Sequence, residues 1–171
     1  KAKHALNIAL QLRPYYGKAY FNLGRVYLEE GDIEKAHENF RKACMEADLD
    51  NESGFLGYAK SAMQCKKYDE AIVGCKKVLE CNPQDVDTAF TLGNAYYMAQ
   101  QYEESIKVYQ QLLAQNPQDS RLWYNLAEAQ YSAGNIKDAL YNFQRLKGIP
   151  GVGLNLYVRI AACFEQLGMI G

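Results

Sequence analysis

The sequence predicts an all-α fold built from stacked helix–turn–helix units, and three observations lead there. Small residues recur as Ala2, Ala36, Ala71, Ser105 and Ala139, at steps of 34, 35, 34 and 34 residues. A second row, Leu23, Tyr58, Leu92, Leu126 and Ile160, keeps the same period, and each member is followed at once by a small residue: Gly24, Ala59, Gly93, Ala127 and Ala161. Within each period the apolar spacing is helical, and no alternating apolar run suggests a strand. A repeat of this length is one supersecondary unit that cannot bury its apolar face alone, so neighbouring units must stack.

The elements follow in order. Residues 1 to 16 read as a second helix, carrying Ala2 and Leu6 and stopped near Pro14. In residues 17 to 51, Tyr20, Leu23, Gly24 and Tyr27 lie at i, i+3, i+4 and i+7, one face of an amphipathic helix. Gly31 then ends that helix in the left-handed conformation, and Asp32 caps the next. Ala36, Phe40 and Ala43 continue the helical spacing through the second helix. The unit 52 to 85 repeats the plan with Ala62, Lys66 and Cys75 in place of the tyrosine, the turn glycine and the second aromatic. Units 86 to 119 and 120 to 153 follow, the latter with Gly134 and Asn135 as its turn and cap, and residues 154 to 171 form one more first helix ending near Gly168. Second helices stop before Asn82-Pro83 and Asn116-Pro117, because proline lacks the donor and disfavours helix at the residue before it. Asp48 and Gly151 take the proline slot in the other two units. One extra residue near Asp50-Asn51 predicts an irregular loop, and Gly148 to Gly153 predicts a loose connection. Each helix of 12 to 14 residues is about 20 Å long.

Composition narrows the classes of function. Of 171 residues 49% are apolar and 23% charged, a globular balance, and the net charge of -1 offers no general attraction for nucleic acid or an anionic membrane. No continuous basic stripe supports reading of RNA by helical repeats. No run approaches the roughly 18 apolar residues that a membrane span needs. Five cysteines without a CxxC pair indicate neither a disulfide framework nor a zinc ribbon, and reduced thiols favour the cytosol. Cys44, Cys65, Cys75 and Cys163 fall at small core positions, whereas Cys81 lies near a helix end and is expected to be exposed. The chain begins at Lys1, so it reads as a segment of a larger protein.

These residues resemble the tetratricopeptide repeat family, whose unit has an aromatic, Leu-Gly and Tyr on its first helix, Ala and an aromatic on its second, and Pro at the exit. Tyr20-Phe21-Asn22-Leu23-Gly24, Trp123-Tyr124-Asn125-Leu126, Asn82-Pro83 and Asn116-Pro117 are similar to that pattern, and the resemblance covers the whole chain as a single domain. It implies a right-handed α-solenoid whose first helices line a concave groove, and a role in binding a protein or peptide. On the groove face the helical step places Lys18, Phe21, Asn22, Arg25, Leu28 and Glu29; then Leu56, Lys60 and Met63; Phe90, Asn94 and Tyr97; Tyr124, Asn125, Glu128 and Tyr131; and Val158 and Ala162. Charge changes along it, cationic at Lys18, Arg25 and Lys60, with an acid at Glu128. The aromatics either contact a partner or complete packing between first helices, and the cations either select a partner or form an ordinary wet surface. The carboxylate clamp of some relatives is not expected, since Phe21 precedes Arg25, Gly57 fills the second position, and the third offers Phe90 and Asn94.

No catalytic, metal or cofactor site is expected. The two histidines, His4 and His37, lie on second helices without ligands at metal spacing and are read as surface residues. The glycine-rich stretch 148 to 153 lacks the strand and the Lys-Ser or Lys-Thr of a phosphate loop. Acids such as Asp69-Glu70 and Glu103-Glu104 begin second helices, where the macrodipole favours them. The leading expectation is a non-enzymatic interaction scaffold. Its rivals are a structural segment that assembles through its ends and convex face, and a substrate-recruiting portion of a larger enzyme.

Overall fold

A computed structural model describes residues 2–46, 52–149 and 153–169. The described residues form ten α-helices and no strand: α1 (Ala2–Leu12), α2 (Gly17–Glu29), α3 (Ile33–Arg41), α4 (Glu52–Gln64), α5 (Tyr68–Cys81), α6 (Val86–Met98), α7 (Tyr102–Gln115), α8 (Ser120–Ser132), α9 (Ile136–Arg145) and α10 (Asn155–Gln166). A π-helical turn, Lys42–Glu46, extends α3. Its wider winding takes up extra chain length in the one unit that has a residue too many. The irregular loop expected at Asp50-Asn51 lies outside the described residues, as do Asp48, Pro150, Gly151 and Val152. The chain forms two compact units, Lys1–Ala95 and Tyr96–Gly171, and the boundary falls within α6.

One turn is used throughout. Gly31, Gly134 and Gly168 adopt φ of 78°, 85° and 66°. The following amide reaches back five residues, Asp32 N to Tyr27 O at 2.9 Å and Asn135 N to Gln130 O at 2.8 Å, the bond that closes a helix through a left-handed residue. Lys66 (φ 58°) and Gln100 (φ 61°) make the same turn without glycine, with Lys67 N to Ala62 O and Gln101 N to Tyr96 O both 2.9 Å. Caps differ from expectation at one place. Asp32 accepts from the Lys35 amide at 3.1 Å as predicted, but Asn135 makes no capping bond and turns its Nδ2 toward Glu103 Oε1 at 3.4 Å. Asp85 and Asp119, each closing an Asn-Pro-Gln-Asp run, accept from the amides of Thr88 at 3.1 Å and Arg121 at 2.9 Å and so cap α6 and α8.

In the first unit, packing is organised by Phe40 on α3. A Cβ at Gly24 of α2 would stand 2.8 Å from the Phe40 ring, and a Cβ at Gly57 of α4 would stand 2.9 Å from it. The ring therefore occupies the space that two first helices leave open by having no side chain there. Ala36 and Tyr58 complete the cluster, with Phe21, Tyr27 and Cys44 against it. Gly74 of α5 rests on α4, where a Cβ would meet Ala59 Cβ at 2.9 Å and its backbone at 3.0 Å. In the second unit, Ala127, Ala139, Phe143, Leu146, Leu156, Ile160 and Cys163 form one core cluster flanked by Trp123, Tyr124 and Tyr131. Ala2 and Ala161, at the two ends of the small-residue rows, are exposed.

Candidate functional site on the first helices

The residues expected on the first-helix face divide sharply by environment. In the first unit Lys18, Asn22, Arg25 and Leu28 on α2 and Lys60 on α4 are exposed. Among the described residues, neither Lys18 nor Arg25 forms an ion pair, while Asp85 lies near enough to Lys60 for its carboxylate to feel that charge. The Thr88 hydroxyl and amide, with a smaller contribution from Lys60, hold the Asp85 carboxyl below its usual range. Met63 is half-buried, and so is Phe21, whose ring lies 5.6 Å from that of Phe40. Phe90 and Asn94 on α6 are also half-buried.

In the second unit the same face is largely satisfied from within. Tyr97 is half-buried, with its hydroxyl 3.3 Å from Ser132 Oγ and its ring 5.7 Å from Tyr102. Tyr124 meets Phe143 edge-on at 5.6 Å, and Asn125 is half-buried beside the Tyr109 hydroxyl. Glu128, the expected acid of the face, is buried and pairs with Arg159 Nε at 2.6 Å. Arg159 also lies 5.7 Å over the Tyr131 ring. Burial, and then the Glu128 charge, raise the Tyr124 phenol above its ordinary value. The opposite charges of Glu128 and Arg159 stand on neighbouring first helices, and that juxtaposition was the available signal that the acid would be consumed internally.

His37 is a correction. Expected at the surface, it is 1% exposed, its ring stacked on Tyr58 at 5.4 Å. Its Nδ1 lies 3.1 Å from Ser61 Oγ, and its Nε2 lies 3.3 Å from Glu70 Oε2, off the hydrogen-bond direction. The Tyr58 hydroxyl donates to the same Glu70 oxygen at 2.8 Å, and Ser61 Oγ donates to Tyr58 O at 3.0 Å. Burial holds the imidazole below its ordinary pKa, a direction Lys67 reinforces and Glu70 opposes. The order Ser, His, Glu imitates a nucleophilic triad, but Ser61 and His37 are each only 1% exposed, so the group fastens α3, α4 and α5 together rather than meeting a substrate.

Cys75 and Cys163 are buried and Cys81 is exposed, as expected, whereas Cys44 and Cys65, expected at core positions, are half-buried. Burial pushes the Cys75 thiol up to about 12. Among the described residues no three His, Cys, Asp or Glu side chains gather as a metal site, and no helix is long and apolar enough to cross a membrane.

Comparison with known families places this arrangement. Models described as "Tetratricopeptide repeat" match residues 17–48 and 90–151, together more than half of the chain. The chain belongs to the tetratricopeptide repeat family. No curated protein gives a significant match to the chain. Among solved structures, this tetratricopeptide repeat chain is similar to a crystal structure of MamA protein, with a TM-score of 0.75 and 22% identity over 90% of this chain and 83% of that one. It is also similar to MamA 41-end from Desulfovibrio magneticus RS-1, with a TM-score of 0.75 and 16% identity over 89% and 85%. A third likeness is to YrrB, a TPR protein with an unusual peptide-binding site, with a TM-score of 0.69 and 18% identity over 96% and 84%. These likenesses show the fold, which is the all-α solenoid class of stacked helix–turn–helix repeats.

Proposed function

We infer that this tetratricopeptide repeat chain is a protein-interaction module that holds a peptide or protein segment on the exposed faces of its first helices. The observation that carries this reading is the set Lys18, Asn22, Arg25 and Lys60, which reaches solvent from α2 and α4 beside Leu28, Leu56 and Met63. Lys18 and Arg25 without an internal carboxylate add nothing to folding that would account for their shared direction. Cations over a partly apolar floor suit an extended segment that offers carboxylates and apolar side chains alternately. Taken by itself, the second unit offers half-buried Tyr97, Tyr124, Asn125 and Tyr131 as its own candidate contacts, while Glu128 would act through Arg159 rather than directly. The peptide site named for YrrB lends support by analogy.

The test is selection of a random displayed-peptide library on the immobilised protein, followed by titration of the enriched peptides against the Arg25→Glu/Lys60→Glu double variant. Enriched sequences should be acidic, and the double variant should lose them. Peptides that bind both proteins equally well would overturn the assignment of the site to α2 and α4.

A second reading, self-association, is favoured by the apolar surface beside and on α10, where Leu154 is 79% exposed and Tyr157, Val158 and Met169 are more than half exposed. A molar mass by light scattering that rises with concentration would support it, and a constant monomer mass would remove it.

A further inference from the structure

A separate group of side chains stands on α8 and α9. Trp123 is held by its indole N–H, which donates to Pro117 O at 2.8 Å. The guanidinium carbon of Arg145, in the last turn of α9, lies 3.9 Å over the Trp123 ring, and Tyr141, one turn earlier, is 6.0 Å from it and 62% exposed. Among the described residues Arg145 forms no ion pair. Contact with the ring restrains the guanidinium, and among the described residues none of its five N–H donors is engaged in a hydrogen bond or ion pair. The side chain is thus already ordered, and its fork still has all its hydrogen-bonding capacity for an acceptor with two oxygens. Arginine, tryptophan and tyrosine are also the residues most enriched where single side chains dominate binding.

We propose that Arg145, seated on Trp123 and flanked by Tyr141, is an interaction site for a carboxylate side chain of an acidic protein segment. The choice of a carboxylate rests on charge and shape. An unpaired planar cation accepts a carboxylate through two parallel hydrogen bonds, and the exposed Tyr141 ring offers apolar area to the residues on either side of it. The site uses none of the residues assigned to the first-helix face, so it stands or falls independently of that reading.

Trp123 is the single tryptophan of the chain, so the tryptophan fluorescence comes from this site. The whole 171-residue protein is titrated with hexaglutamate, which carries no fluorophore, with hexaserine and hexalysine as comparisons. A saturable change in tryptophan emission is expected with hexaglutamate only, weakening as salt is added. Arg145→Met keeps an apolar stem over the indole but removes the fork, and should weaken the response about tenfold or more, as loss of a charge-assisted bidentate pair does. Arg145→Lys keeps the charge without the planar fork and should fall between the two. The response should persist in Arg25→Glu/Lys60→Glu, which separates failure here from failure on the first helices. A flat titration, an equal response to hexaserine, or a response unchanged in Arg145→Met would overturn the proposal. So would a response to inorganic phosphate or a single-stranded oligonucleotide in the absence of one to hexaglutamate.

Discussion

Gly74→Ala measures how tightly two helices of one repeat are pressed together. The added methyl would lie 2.9 Å from Ala59 Cβ and 3.0 Å from Ala59 Cα and N, where carbon atoms normally rest about 3.5–4.0 Å apart. None of the three atoms belongs to a side chain that can swing away, since two are backbone of α4 and the third is a methyl fixed to it. Relief therefore requires α5 to retreat from α4 by roughly half an ångström or more, loosening the contacts of Ala71, Ile72, Cys75 and Val78 as well. Overpacking of this sort costs about 1–3 kcal/mol, while replacing glycine by alanine within a helix returns about 1 kcal/mol. The expected balance is a loss of about 1 kcal/mol, read as a fall of about 2–4 °C in the melting midpoint of a chain of this size. Thermal melts followed by circular dichroism are sufficient. A variant that melts higher than the parent, realising the whole helix-propensity gain, would refute the close approach. Combining Gly74→Ala with Ala59→Gly should recover part of the loss but not all of it, because the Cα and N contacts persist.

Lys66→Gly and Gln100→Gly should each stabilise by about 0.5–1 kcal/mol, because left-handed backbone costs an L residue about 1–2 kcal/mol and glycine's larger unfolded entropy cancels only part of that gain; a lowered melting midpoint in both would contradict the turn geometry. Stability should decline as pH falls below about 6.5, because burial depresses the His37 pKa and the unfolded chain takes up the proton first. The loss continues until pH reaches the folded value, and His37→Gln should flatten the slope of denaturation midpoint against pH between 7 and 5, whereas an unchanged slope would show that His37 does not titrate there. With a thiol reagent at pH 8, Cys81 should react first and Cys75 only on unfolding, since Cys75 is buried and its thiol is pushed up to about 12; mass spectrometry of partly labelled protein would detect the reverse order.

How much could be read without coordinates depends on whether a contact is local in the repeat. The small-residue rows and the turn glycines are local, and Ala36, Ala71, Ser105 and Ala139 are all buried where the period places them. Lys66 was legible as the substitute for a turn glycine for the same reason. Gly57 was legible only as a mismatch to the carboxylate clamp, because its cause is the ring of Phe40, seventeen positions earlier on another helix. His37 went wrong in the same way. It adjoins the core residue Ala36, but what buries it is Ser61 and Glu70 from the following repeat, and neither lies at a spacing that a metal or catalytic motif would reveal.

The candidate site shows the same division from the other side. Helical geometry sufficed to place Phe21, Arg25, Tyr124 and Glu128 on one kind of face, since that needs only the angle per residue. It could not say which of them turns back into the protein, because that depends on whether the neighbouring helix supplies a partner. Phe40 takes Phe21, Phe143 takes Tyr124 and Arg159 takes Glu128. Arg25 meets no such carboxylate among the described residues. Internal pairing thus acts as a filter on the face, and the residues it leaves in solvent include the cations Lys18, Arg25 and Lys60, so the ligand chemistry proposed for α2 and α4 follows from what the fold has not already neutralised.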